Sequence, residues 1–184
     1  MTMTPSIRYL ALSVHLALSV GWIGSVAAYM ALDIAAATSH DTQTLRAAYF
    51  GMDLIAGSVI VPLAVASLLT GLVMSLGTRW SLFRHWWVLI ALLLTVFATI
   101  VLVVETGTIR SFAAVAADPT ASSHDLRGLG STLVHSVGGT VVLLVVLVLN
   151  VYKPRGLTPY GWRKQRAERG AADLVPGAGD REAG

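Results

Sequence analysis

Four stretches of this chain are apolar over a length that can cross a hydrocarbon core, which takes roughly 20 residues of α-helix, and polar connectors separate them. The spans predicted are about 7–35, 50–77, 85–109 and 131–152. Strands of a membrane barrel would instead alternate polar and apolar positions over about ten residues, and no segment does so. The fold class that follows is all-α: an up-down-up-down bundle of four transmembrane helices with short loops. The bundle is placed at 1–156 and a basic tail at 157–184. Pro62, near the middle of the second span, predicts a kink. Arg8 ahead of an apolar run also has the form of a cleavable signal peptide, but the run is long for one and carries His15, Trp22, Tyr29 and Asp33.

Within the spans, polarity marks the faces expected to point inward, because membrane helices pack through small residues and hide polar ones. At about 100° per residue, His15, Ser19, Trp22, Val26, Tyr29 and Asp33 stay close to one line on the first span. Asp53, Gly57, Ala64, Ser67, Gly71, Ser75 and Thr78 form a stripe of small residues and one carboxylate on the second. The third carries Thr95, Thr99 and Thr106, with Glu105 to one side. On the fourth, His135 and Gly139 lead a face continued by Val142 and Val146.

Composition narrows the function classes. Apolar residues make up 55% of the chain and charged residues 12%, against about a quarter charged in soluble domains. The spans leave no room for a soluble catalytic domain. There is no cysteine, which excludes disulfides, thiolate metal sites and Cys nucleophiles. The basic residues form no patch interleaved with aromatics, so no nucleic-acid partner is expected. The partners expected are the lipid bilayer and, within it, another membrane subunit or a second copy of the chain.

Arg and Lys are spread unevenly over the connectors. Arg8, Arg79, Arg84, Lys153, Arg155, Arg163, Lys164, Arg166, Arg169 and Arg181 fall on one side, against Arg46, Arg110 and Arg127 on the other. The positive-inside rule then places both termini in the cytoplasm. The tail from Thr158 to about Leu174 reads either as a short interfacial helix or as a plain stop-transfer tail. In the first case Thr158 caps it, Pro159 opens it, Tyr160 and Trp162 lie at headgroup level, and Arg163, Lys164 and Arg166 meet anionic lipid. The residues beyond read as disordered.

With the N-terminus inside, Asp33, Asp53, Glu105 and His135 all fall near the outer ends of their spans, one ionisable group per helix. They are the candidate metal or proton site of a permease-like bundle. The outer triplets Ser39-His40-Asp41 and Ser123-His124-Asp125 could add ligands suited to Zn, Cu(II) or Ni(II). For Asp33, Asp53 and Glu105 the plainer reading is a helix-end carboxylate, and Asp53 is expected in a first turn, opposite the dipole. For His85, beside Trp86 and Trp87, it is an interfacial anchor. The alternative chemistry is haem b held by an imidazole between helices. His15, His135 and His85 are its candidate ligands, and Ser19, Trp22 and Gly139 are candidate neighbours. His15 and His135 are about half a bilayer apart, so a bis-histidine haem would pair His15 with His85. A structural or accessory membrane subunit without chemistry is the third class.

The run His15-Leu-Ala-Leu-Ser-Val-Gly-Trp22-Ile-Gly24 resembles the first helix of small bacterial membrane proteins with a His-x6-Trp-x-Gly pattern. Among them are the membrane-bound protoporphyrinogen oxidase family and the copper-resistance D-type proteins. The end of the last span, Val151-Tyr152-Lys153-Pro154-Arg155-Gly156-Leu157-Thr158, is similar to that of an uncharacterised family of four-helix bacterial integral membrane proteins. The oxidase resemblance implies haem b with His15 as ligand, and the bacterial cytoplasmic membrane as location. The third span departs from that family, since His85-Trp-Trp-Val-Leu-Ile-Ala91-Leu contains no lysine.

Overall fold

A computed structural model describes residues 4–77, 83–154 and 156–173. Arg79 and Trp80 of the second connector, Arg155, and the chain after Asp173 with Arg181 lie outside the described residues. The elements are α1 (Pro5–Thr38), α2 (Thr42–Ile55), a π-helical segment (Ala56–Ile60), α3 (Val61–Gly77), α4 (Trp86–Ala117), α5 (Ser123–Arg127), α6 (Leu133–Tyr152) and α7 (Pro159–Asp173). Helix α1, the continuous run α2–π–α3, α4 and α6 are the four long, apolar membrane-crossing elements, so the chain is a multi-pass membrane protein. Each packs on its neighbours in sequence, and α1 meets α6 to close the ring. The first and last described residues therefore share one end, called proximal here; the α1–α2 and α4–α6 connections form the distal end.

Solvent logic is inverted in this bundle. Leu54, Val104 and Val151 are 66%, 66% and 67% exposed, as expected of side chains that meet lipid rather than water. The inside holds small and amphipathic groups such as Ala56, Ala64, Ser67, Trp22 and Tyr29. The first-span stripe is found inside: Trp22, Val26, Tyr29 and Asp33 are buried, while His15 and Ser19 are half-buried against α3.

Two helices are longer than their apolar runs. Helix α2 begins at Thr42 and α4 continues to Ala117, because the 3.6-residue period persists beyond the membrane-length stretch. Leu45, Ala48 and Tyr49 are buried on α2, and Ile109, Ala113 and Ala116 on α4. Short α5 closes over them, with Leu126 fully buried and Tyr49 Oη donating to its carbonyl at 3.1 Å. One consequence corrects an expectation: Asp53 stands well inside α2, not in a first turn where it would offset the helix dipole.

The kink expected at Pro62 takes the form of the π segment just ahead of it. Proline cannot donate to the residue one turn back and its ring crowds that carbonyl, and a widened turn relieves both. The extra residue shifts the helical phase. Met52, Ala56 and Ile60 are buried, Gly57 is exposed and Asp53 half-buried, so the upper part of the expected small-residue stripe is turned away from the interior. Ala64 and Ser67, past the segment, do lie inside, and Gly71 lies against His15. Thr78 is outside the described residues.

At the proximal end α7 is clasped to the connector before α4. Thr158 N donates to Arg84 O at 3.0 Å and Trp86 N to Gly156 O at 3.3 Å, while the Thr158 hydroxyl donates to Phe83 O. The same hydroxyl caps α7 by accepting from Gly161 N at 3.1 Å, which is the capped helix of the two alternatives for the tail. Arg84 and Glu168 add an exposed ion pair at 3.1 Å, of the kind that contributes little. Gly161 is required by close approach, since a Cβ there would collide with the Arg84 carbonyl oxygen. Gly161→Ala is expected to release α7 at a cost of about 1–3 kcal/mol, seen as faster amide exchange over 159–170 with the bundle unchanged.

Candidate functional site

The distal half of the bundle contains the polar groups that the sequence places at one depth, and the structure sorts them into two connected sets. In the first, Asp33, 2% exposed, accepts hydrogen bonds at Oδ2 from Thr132 Oγ1 and Ser136 Oγ, both at 2.9 Å. Tyr29 Oη lies 3.2 Å from Thr132 Oγ1. A threonine hydroxyl has one proton, and Thr132 gives it to Asp33, so Tyr29 donates to Thr132. This set ties α1 to the start of α6.

In the second set, His135 Nδ1 lies 3.5 Å from Glu105 Oε1 across the α4–α6 interface. Glu105 Oε2 is buried and makes no hydrogen bond among the described residues. Both Asp33 and Glu105 are close enough to Tyr29 to act on it electrostatically. Asp53 is joined by no side-chain hydrogen bond to either carboxylate among the described residues. Of the four candidate metal ligands, then, Glu105 and His135 are paired, Asp33 is engaged by hydroxyls, and Asp53 stands apart. No group of three His, Asp or Glu side chains suited to hold a metal ion occurs among the described residues.

Glu105 and His135 line a cavity of about 370 Å³ that reaches from mid-span to the distal end. Its wall is apolar except for these two residues, the Tyr29–Thr132–Ser136 set and Thr106. Trp22 and Phe97 contribute aromatic surface, and the π segment contributes Ala56 and Ile60. Two residues of its wall, Phe97 of α4 and Val134 of α6, are 59% and 81% exposed. Gly138 and Gly139 form part of the α6 wall, and a Cβ at either would meet nothing within 4 Å. A size at the lower end of ligand pockets, with a few polar groups in an apolar wall, is the usual form of a small-molecule site.

The remaining candidates are used elsewhere. His15 Nδ1 lies 3.0 Å from Thr70 Oγ1 and Ser19 pairs with Ser67 at 2.8 Å, stitching α1 to α3. Thr70 donates its own proton to Ala66 O at 2.8 Å, which makes His15 Nδ1–H the donor and leaves the lone pair on Nε2. His15 and His135 do not meet, one pairing with Thr70 and the other with Glu105. His85 is the N-cap residue of α4 and bridges to Leu157, beside exposed Trp86 and buried Trp87.

The two Ser-His-Asp triplets serve as helix caps. Asp41 accepts from Thr44 N and Oγ1 at the start of α2, and these bonds hold its carboxyl below the usual carboxylate range. Asp125 completes a capping box with Ser122 at α5. His40 and His124 are exposed.

Thr132 and Ser136 are the site residues that sequence reasoning missed. They lie one turn apart at the start of the fourth span, and the buried face of α6 runs through Ser136 and Leu143. His135, Gly139 and Val142 stand to one side of it, on the cavity wall.

Compared with known proteins, the chain matches no family model, no curated protein and no solved structure.

Asp33→Ala leaves two hydroxyls without their acceptor and is expected to lower stability by about 1–3 kcal/mol. Asp33→Asn, which keeps an acceptor oxygen, should cost less. Thermal unfolding in detergent measures both, and equal losses would show that the acceptor is not what matters.

Proposed function

We propose that this protein is a permease-like binding protein of the bacterial cytoplasmic membrane. It takes up a small lipid-soluble molecule in the distal cavity, with Glu105 and His135 as the polar pair that orients it. The observation that carries this reading is the cavity itself, apolar but for a few hydroxyls and the Glu105–His135 pair, which stands 3.5 Å apart across the α4–α6 interface. A few polar groups in an otherwise apolar wall are the usual means of orienting a small bound molecule. The excess of Arg and Lys on the proximal side supports cytoplasmic termini, and with that orientation the cavity belongs to the outer half of the membrane.

Trp22 in the cavity wall is a built-in reporter. In a variant that retains it as the sole tryptophan, an aryl bromide small enough for the cavity is expected to quench its emission saturably. Gly139→Leu, which projects side chain into the cavity from a position with room for a Cβ, should abolish saturation while leaving the fold intact. Quenching that is linear in both variants would leave a structural or accessory subunit as the better reading.

A second reading, haem b at His15, is favoured by one observation. The Thr70 bond leaves Nε2 as the lone-pair nitrogen, which is the form in which an imidazole binds iron. Protein purified from a haem-sufficient host is then expected to show a Soret band that His15→Ala removes and His135→Ala retains. Colourless protein rules this reading out.

A further inference from the structure

We infer that α7 is a docking surface for anionic phospholipid, which it recognises by the negatively charged phosphate of the headgroup. This surface lies at the proximal end, away from the distal cavity, and does not depend on the binding reading above. The clasp sets its depth. Thr158 N donates to Arg84 O at 3.0 Å and His85 bridges to Leu157, which ties the start of α7 to the residues just ahead of α4. Phe83 and Trp86, on either side of that tie, are exposed, and exposed aromatic side chains at the end of a span mark the headgroup level. Tyr152, at the end of α6, is exposed in the same way. The tie therefore holds the first turn of α7 at this level, together with its two exposed rings, Tyr160 and Trp162.

The charge on α7 is one-sided. Over 159–170 it carries Arg163, Lys164, Arg166 and Arg169, all exposed, against one carboxylate, Glu168. Arg84 already engages that carboxylate at 3.1 Å, so the helix's own acid is taken by a cation from outside it. None of the four α7 cations pairs with a carboxylate among the described residues. Guanidinium and ammonium groups in this position are suited to phosphate oxygens, and each basic residue near an anionic surface adds to the attraction.

The rotation of the helix sorts these cations. Gly161 is buried and Gln165 half-buried, and together they mark the docked face. At about 100° per residue, Tyr160 and Lys164 then fall on one flank, and Trp162, Arg166 and Arg169 on the other. Each flank joins an aromatic ring to a cation, the combination that suits a helix lying at the headgroup boundary. Arg163 falls on the far side, opposite the docked face. The clasped rotation thus exchanges Arg163 for Arg169 among the cations that meet lipid.

The chain has no cysteine, so Tyr160→Cys in the full chain accepts a single bimane label on one flank and keeps Trp162 and every cation. The labelled protein is reconstituted in phosphatidylcholine bilayers with a small, equal fraction of nitroxide-labelled phosphatidylglycerol or nitroxide-labelled phosphatidylcholine. The anionic lipid is expected to quench about fivefold more strongly. Raising salt from about 0.1 M to about 1 M, which shortens the Debye length from about 10 Å to about 3 Å, should erase most of that preference. Combined Lys164→Gln, Arg166→Gln and Arg169→Gln should bring the two lipids level, while Arg163→Gln keeps the preference. If the combined variant does not fold, the salt dependence of the labelled parent decides. Equal quenching by both lipids, a preference that salt or the combined variant leaves intact, or one that Arg163→Gln abolishes, overturns the inference. No quenching by either lipid also overturns it, and leaves the cations to a soluble acidic partner.

Discussion

The arrangement of the distal half depends on one acceptor atom. Asp33 Oδ2 receives the hydroxyl protons of Thr132 and Ser136, and in doing so joins the first span to the last. The two donors lie a turn apart, so they fix the rotation of α6 about its axis as well as its distance from α1. That rotation turns His135 toward α4, where Glu105 meets it, and leaves Gly138 and Gly139 along the cavity wall. Hydrophobic burial cannot supply this alignment, because lipid tails are as apolar as the helices. The work falls to hydrogen bonds and close packing, such as His15 with Thr70 over Gly71.

How far the sequence shows this depends on whether a helix keeps its period. The first span does, and the stripe from His15 to Asp33 lies inside along its length. The second does not. The π segment takes up one extra residue, which an even 100° step cannot anticipate, so Asp53 and Gly57 leave the face on which Ala64 and Ser67 remain. Pro62 announced a bend but not a change of phase. The extended starts and ends of α2 and α4 were hidden for a different reason. Arg46 and Arg110 interrupt the hydropathy, although Leu45, Ala48, Ile109 and Ala113 beside them keep helical spacing.

The chemistry was legible in its ingredients more than in its pairings. Glu105 and His135 stand out as ionisable groups in apolar runs, and the structure pairs them. Thr132 and Ser136 carry no charge and sit at a span boundary, where hydroxyls are common. Asking which donors could satisfy a buried Asp33 would have pointed to them. The Ser-His-Asp triplets look like ligand sets in a one-letter string and act as caps in three dimensions, because short polar side chains beside a helix start bind its free N–H groups.

The π segment also separates what the fold needs from what the cavity needs. Gly57, Ser58 and Val59 all point outward, and the buried positions on either side, Leu45, Tyr49, Met52 and Ala56 above, Ile60, Ala64 and Ser67 below, fall on one continuous stripe if a single residue is removed between them. A second span shortened by one residue, with Pro62 also replaced, would thus pack as a regular helix, without the widened turn from which Ala56 and Ile60 face the cavity. In the language of insertions and deletions, the second span carries one residue that its packing could spare. That residue belongs to the cavity's shape rather than to the bundle.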